Sequence, residues 1–285
     1  MLILFSAAPG TVRLTRSGTD HRRENAMDTI AVSVDASGIA LLELNRPATL
    51  NALSVDLIGE MKSALGELAT DEKVAALIIT GKGRAFCAGA DLSGDLQNST
   101  APASPGERVA ETMAREFNPL MEMIYTFPRP VVTAINGIAA GGGAGLALCS
   151  DLAVASDTAS IKVVQVQHLG IVADLGANWL LQRIAGRGRA MAACLLSDTI
   201  PATTLLEWGA IWDCVPPAEL LDTARGYALR LTNVPAATVL ATRQLVDGSS
   251  AVTYGESIEE ERLCQRKLCD APVFLDSVRE FMAKR

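Results

Sequence analysis

Histidine is nearly absent from this 285-residue chain: only His21 and His168 occur. A serine–histidine triad or a histidine-rich metal site is therefore poorly supported, since each needs imidazole as base or ligand. Aromatic residues are also scarce, at 4% against 49% apolar overall, so the interior must be built on Ala, Leu and Val. Basic residues are outnumbered, 25 to 32, and the formal charge of −7 argues against a nucleic-acid surface. A local positive rim of Arg46, Lys82 and Arg84 still leaves room for an anionic ligand. The six cysteines, Cys87, Cys149, Cys194, Cys214, Cys264 and Cys269, form neither a CxxC pair nor a zinc-finger rhythm. Free thiols in a reducing cytoplasm are the expectation, with no metal and no redox nucleotide indicated.

Charge is missing altogether from Pro130 to Ser150. A membrane span needs about 20 mostly apolar residues, and this run is long enough. Its glycines, Gly137, Gly141, Gly142, Gly143 and Gly145, are too dense for a stable helix, each costing roughly 1 kcal/mol against alanine. The better parse is "VVTAIN" as a buried strand, "GIAAGGG" as a tight turn and "AGLALCS" as the opening of a helix. Such a turn leaves backbone N–H groups aimed at whatever binds there. No membrane partner is expected.

The first 26 residues carry four arginines, two acids and no periodic pattern, and read as a flexible extension or a transit peptide. From Ile30 the segments "IAVSVD" and "IALLELN" read as a hairpin joined by "ASG". Ser54 is a plausible cap for a helix whose Val55, Leu57, Ile58, Met61, Leu65 and Leu68 recur at helical spacing. The strand "VAALIITG" follows, then a second glycine-bearing turn, "KGRAFCAGADLSGD". Residues 95–106 are the most loop-like part of the body and read as an active-site flap or a surface loop. A helix is expected from about Glu107 to Thr126, strands at "DLAVAS" and "IKVV", and from Leu175 successive helices with one strand at "IWDCV". The whole reads as an α/β core over residues 27–200 with a helical region over 201–285.

Ala88-Gly89-Ala90-Asp91 and Gly141-Gly142-Gly143-Ala144 each end a buried strand with small residues that let a ligand approach the backbone. Two such N–H donors converging on one oxygen would form an oxyanion hole, in which a lost donor costs roughly 3 to 4 kcal/mol of transition-state stabilisation. A close-packed structural turn is the alternative for the triple glycine.

The segments "LNRPATLNALS", "GRAFCAGADL", "RPVVTAINGIAAGGGAGLALCSDLAVAS", "LGIVADLGANWLLQRIAG" and "ESIEEE" resemble the crotonase superfamily, also called the enoyl-CoA hydratase/isomerase family, in family order from Ile30 to about Arg285. The resemblance implies a ββα-repeat spiral core, a helical carboxy-terminal trimerisation region, and a coenzyme A thioester as substrate rather than cofactor. It implies hole donors at the amides of Ala90 and Gly142, and a CoA site along Asn51, Ala52 and the strip Ala88, Gly89, Ala90, Asp91 and Leu92. It implies a homotrimer or a dimer of trimers.

Hydratases of that family carry two glutamates, and the matching positions here are Gly145 and Val166. The acid that remains is Asp174, matching the aspartate of family members that move double bonds and of the 4-chlorobenzoyl-CoA dehalogenase branch. Its neighbours Ile171, Val172, Ala173 and Leu175 are expected to desolvate it and raise its pKa. One base can take a proton at one carbon and return it at another, whereas water addition benefits from two acids, so enoyl-CoA isomerisation is favoured over hydration. A non-catalytic acyl-CoA binder is a further reading. Asp174 can also be read as an N-cap, His168 as a surface residue or a pocket residue, and Glu256, Glu259, Glu260 and Glu261 as a solvated or subunit-facing helix surface.

Overall fold

A computed structural model describes residues 25–26, 29–91 and 103–284. The expected extension up to residue 24, Leu92, and residues 95–102 of the expected loop lie outside the described residues.

The amino-terminal hairpin forms as its alternation dictates. Strand β1 (Asn25–Ala26) pairs antiparallel with β2 (Ile30–Val34), and β2 with β3 (Ile39–Leu44), Ile30 opposite Leu44. Ser54 then accepts from the Leu57 amide at 3.3 Å and opens α1 (Val55–Thr70). Leu57, Ile58, Met61, Ala64, Leu65 and Leu68 turn inward, but Val55 stays 60% exposed. Strand β4 (Ala76–Gly81) is buried at every position because both its faces are covered.

Here the chain departs from its sequence reading. Within the expected turn after β4 lies a three-residue strand, β5 (Ala85–Cys87). The next helical stretch starts at Pro105, not Glu107, because Ser104 and Glu107 form a reciprocal capping box. It runs as α2 (Pro105–Thr112), a π-helical turn (Met113–Phe117) and α3 (Asn118–Tyr125). The uncharged run becomes β6 (Val131–Ile135), a second short strand β7 (Ile138–Ala140) inside the expected glycine turn, and α4 (Gly142–Leu148). Among the described residues no helix is long and apolar enough to cross a membrane.

The pattern repeats once more with β8 (Leu152–Ser156), β9 (Ser160–Lys162), a π-helical turn (Gln165–Leu169) and α5 (Ala177–Leu196). Then follow β10 (Ile200–Pro201), α6 (Ala202–Glu207), β11 (Asp213–Val215), α7 (Leu220–Leu231), α8 (Ala236–Gly248), α9 (Tyr254–Cys269) and α10 (Pro272–Ala283). The first strand of each pair joins a seven-stranded sheet ordered β1-β2-β3-β4-β6-β8-β11; the second joins a four-stranded sheet ordered β10-β9-β7-β5. Successive ββα units thus step sideways through two sheets at once, which is the spiral the resemblance implies.

One face of the large sheet packs on α7 through Ile78, Val132, Val154, Leu220, Ala224 and Ala228. The other face contributes Leu77, Ile79, Val131 and Ile135 to a larger core with α1, α3 and the second sheet. The sheet's last strand and the α7 packing both lie beyond residue 200.

Candidate active site

Strands β5 and β7 are parallel neighbours, Ala85 opposite Ile138 and Cys87 opposite Ala139, so their carboxyl ends emerge side by side. Both glycine turns leave from those ends. Gly89 sits at φ +89°, and a Cβ there would lie 2.8 Å from the Ala140 carbonyl oxygen and 3.0 Å from the Gly142 nitrogen. Only a glycine lets the two turns come this close. The surrounding amides are engaged: Ala88 N–H donates to Leu50 at 3.0 Å, Asp91 N–H to Leu53 at 3.1 Å, and Gly141 N–H to Lys162 at 2.9 Å. Among the described residues, the amides of Ala90 and Gly142 meet no backbone acceptor. The Ala90 N–H lies between the two bonds of its bridge to Leu53, and the Gly142 N–H opens α4, where no preceding turn can accept it.

Both amides border a cavity of about 340 Å³ at the carboxyl ends of β5, β7 and β9. Ala88, Ala90, Asp91, Gly141 and Gly142 form its floor; Leu53, Val109, Met113, Phe117, Val164, Leu169 and Ile171 make much of the rest apolar. Each of the two π-helical turns supplies residues to this wall, in keeping with the frequent occurrence of such turns at functional sites. A larger cleft of about 1060 Å³, lined by Tyr125, Trp179, Arg183, Trp212 and Asp247, is reached by neither glycine turn nor Asp174.

Asp174 lines the smaller cavity beside Gly142: a Cβ on that glycine would stand 3.2 Å from Asp174 Oδ1. The Gln165 side-chain amide donates to the same oxygen at 2.8 Å. Burial pushes the Asp174 carboxyl above the usual range, while hydrogen bonds from Gln165 and from its own backbone hold it back. The burial has a narrower origin than the sequence suggests. Ala173 and Leu175 are 4% exposed, whereas Ile171 and Val172 are 50% and 76% exposed. Asp174 does not cap α5: Gly176 occupies the cap position, with no side-chain cap bond, and only the Asp174 carbonyl reaches the Ala177 amide. The other carboxylate on the wall among the described residues, Asp91, is paired with both terminal nitrogens of Arg46 at 3.1 Å.

Comparison with known proteins agrees with this architecture. The model of the enoyl-CoA hydratase/isomerase family matches residues 35–285. The chain belongs to that family. It is 35% identical over 248 residues to the 1,2-epoxyphenylacetyl-CoA isomerase of Escherichia coli K12, covering 87% of this chain and 93% of that one. It is 32% identical over 216 residues to the short-chain-enoyl-CoA hydratase of Clostridium acetobutylicum, covering 74% and 78%. The crystal structure of an enoyl-CoA hydratase from Bacillus anthracis superposes with a TM-score of 0.82 at 27% identity, covering 90% of this chain and 97% of that one.

Position 145, where the resemblance places the first hydratase glutamate, has no room for a side chain in this member of the enoyl-CoA hydratase/isomerase family. A Cβ at Gly145 would fall 2.1 Å from the Leu175 carbonyl oxygen and 2.8 Å from its carbon. Leu175 is itself left-handed, at φ +50°, which turns that carbonyl toward α4. The second position, Val166, packs against the hydrophobic core and does not line the cavity.

The remaining expected residues divide. Ala88, Ala90, Asp91 and Gly142 reach the cavity; Asn51, Ala52 and Gly89 do not line it. The fully buried Asn51 side chain accepts from the Arg46 amide at 2.9 Å and donates to Lys82 and Ala85 at 3.0 and 2.8 Å, so it ties loops together. Arg46 serves Asp91 and the Ala52 carbonyl rather than an open rim; Lys82 and Arg84 are exposed. His168 is exposed and away from the wall. Glu256 completes a capping box with Thr253, and Glu259 pairs with Arg262. Sequence reasoning missed Gln165, whose only signal was a polar residue in the apolar run "VVQV".

Proposed function

We propose that the chain acts on an acyl-CoA thioester and moves a carbon–carbon double bond. The amides of Ala90 and Gly142 hold the thioester oxygen as it becomes an enolate, and Asp174 carries the proton from one carbon to another. Ala88, Ala90 and Asp91 line the path of the CoA moiety through backbone contacts, and the thioester enters as substrate, with no further cofactor needed for the proton shuttle.

The observation that carries this reading is the pairing of Asp174 with a closed position 145. Of the two carboxylates on the described cavity wall, Asp91 is committed to Arg46, which leaves Asp174 beside the Gly142 amide. One raised, half-buried carboxyl suits a base that must later give its proton back. The E. coli relative's name, an isomerase of a CoA ester, points the same way. Hydration is the rival, since the C. acetobutylicum relative is named a hydratase, and an acyl-CoA binder without turnover is the other.

Asp174→Asn, assayed for isomerase and hydratase rates on several enoyl-CoA esters alongside CoA-ester affinity, separates the three. Isomerase activity collapses with affinity kept if the proposal holds. Hydration that survives the change favours the rival, and a wild type with affinity but no rate is a binder.

We also propose that α9 and α10 meet other copies of the chain, in a trimer or a dimer of trimers. Neither helix buries a residue, and Ile258, Leu263, Leu275, Val278 and Met282 remain exposed. Sedimentation velocity that returns only a monomer overturns this.

A further inference from the structure

We propose that Gln165 is a positioning residue for Asp174, holding Oδ1 through its side-chain amide so that Oδ2 is the oxygen that takes and returns the proton. This rests on the reading of Asp174 as the acid/base group.

Gln165 is 3% exposed, begins the π-helical turn after β9, and lies among Val163, Val164 and Val166. An apolar side chain would pack there without penalty. The carboxamide instead leaves its own Oε1 buried with no hydrogen-bond partner among the described residues, which is an unfavourable arrangement. What it gains is the 2.8 Å bond from Nε2 to Asp174 Oδ1. If the amide were turned over, Oε1 would face Oδ1 and Nε2 would become the orphan, so one end is unsatisfied either way.

A carboxamide has a property that matters beside a proton shuttle: it does not titrate. Its N–H donates to a carboxylate oxygen and equally to the carbonyl oxygen of the neutral acid, so the bond to Oδ1 survives both halves of the cycle. With Oδ1 engaged, the proton has to sit on Oδ2. In the forward half a substrate C–H bond breaks, its electron pair enters the enolate, and an O–H bond forms at Oδ2. In the second half that O–H bond breaks, a C–H bond forms at the other carbon, and the carboxylate is restored.

Among the described residues few charges compete for control of Asp174. His168 on the same turn is exposed, α4 carries no titratable group, and of the charged residues on the cavity wall Asp91 is paired with Arg46 while Arg108 stands on α2. The groups that move the Asp174 carboxyl are burial, Gln165 and its own backbone.

The test compares wild type with Gln165→Met, which keeps the length and removes the donor, and Gln165→Glu, which replaces the donor with a titrating group. The infrared C=O band of protonated Asp174, assigned by its loss in Asp174→Asn, is followed against pH, and kcat and KM for an enoyl-CoA ester are measured over the same range. The expected result is an upward move of the Asp174 midpoint in both variants, with kcat falling about tenfold on the acid side and recovering at high pH, and KM changing less than about twofold. A midpoint that stays put, or a rate lost equally at every pH, overturns the proposal. A moved midpoint in a wild type that isomerises nothing supports the Gln165 hold and overturns the reaction assigned to Asp174. If Gln165→Met fails to fold, Gln165→Glu, nearly the same shape, decides alone.

Discussion

Gln165 reaches Asp174 across 2.8 Å, although they stand nine positions apart in the chain. The contact exists because the π-helical turn ending at Leu169 and the left-handed Gly170 reverse the backbone, returning "GIVAD" to the cavity wall. It joins the end of β9 to the entrance of α5, and so fixes the carboxyl relative to the two glycine turns.

Catalytic rate is expected to fall on the acid side of the pH profile. Asp174 must start as a carboxylate to take a proton, and burial raises its pKa, so the acid limb of kcat/KM lies above the ordinary aspartate value of 3.8. The limb disappears in Asp174→Asn, whose residual rate is about a hundredfold or more lower. A wild-type limb at or below the ordinary value contradicts the assignment.

Stability carries the opposite signature. Below the ordinary aspartate value the carboxyl is neutral in both folded and unfolded chains, and it adds nothing. As pH rises through the raised folded value, the unfolded chain has already lost the proton and the folded chain must bury a charge, so stability falls. Asp174→Asn is therefore expected to melt above wild type at neutral pH, with the gap closing on the acid side. Thermal melts across pH read this directly.

Gly145→Glu, the substitution that restores the first hydratase position, is expected to give no hydratase. The new Cβ meets the Leu175 carbonyl at 2.1 Å, which forces the turn holding Asp174 to move. We expect destabilisation of about 1–3 kcal/mol from overpacking and a loss of isomerase rate. A stable variant with gained hydration would show that the turn yields freely.

Gly89→Ala tests the meeting of the two turns. Alanine at φ +89° is strained, by about 1–3 kcal/mol, and its methyl group would press on the Gly142 nitrogen at 3.0 Å. The expected outcome is a fall in kcat larger than any change in CoA-ester affinity, measured by steady-state kinetics and calorimetry.

The sequence was legible where elements are long. The hairpin Ile30–Leu44, the Ser54-capped helix and the buried strands Ala76–Gly81 and Val131–Ile135 follow from periodicity and capping alone. The three-residue strands Ala85–Cys87 and Ile138–Ala140 were not legible, because so short a segment has no period and both sit among glycines that read as turn. Yet these strands make the site: as parallel neighbours they bring Ala90 and Gly142 to one edge. The two glycine turns were therefore recognisable by motif, while the reason Ala90 and Gly142 share one cavity lies in the second sheet. Gln165 went unseen because its role is a side-chain contact across a reversal that no local pattern announces.

In the proposed reaction two amides from separate strand ends grip one thioester oxygen beside a proton-carrying carboxyl. The crystal structure of Asp174→Asn with a bound enoyl-CoA ester is the decisive measurement. It is predicted to show the thioester oxygen about 2.7–3.1 Å from the nitrogens of both Ala90 and Gly142, with the substituted side chain at position 174 facing the acyl carbons next to the carbonyl. An ester bound with its oxygen on neither amide, or with its acyl chain turned away from position 174, would contradict it.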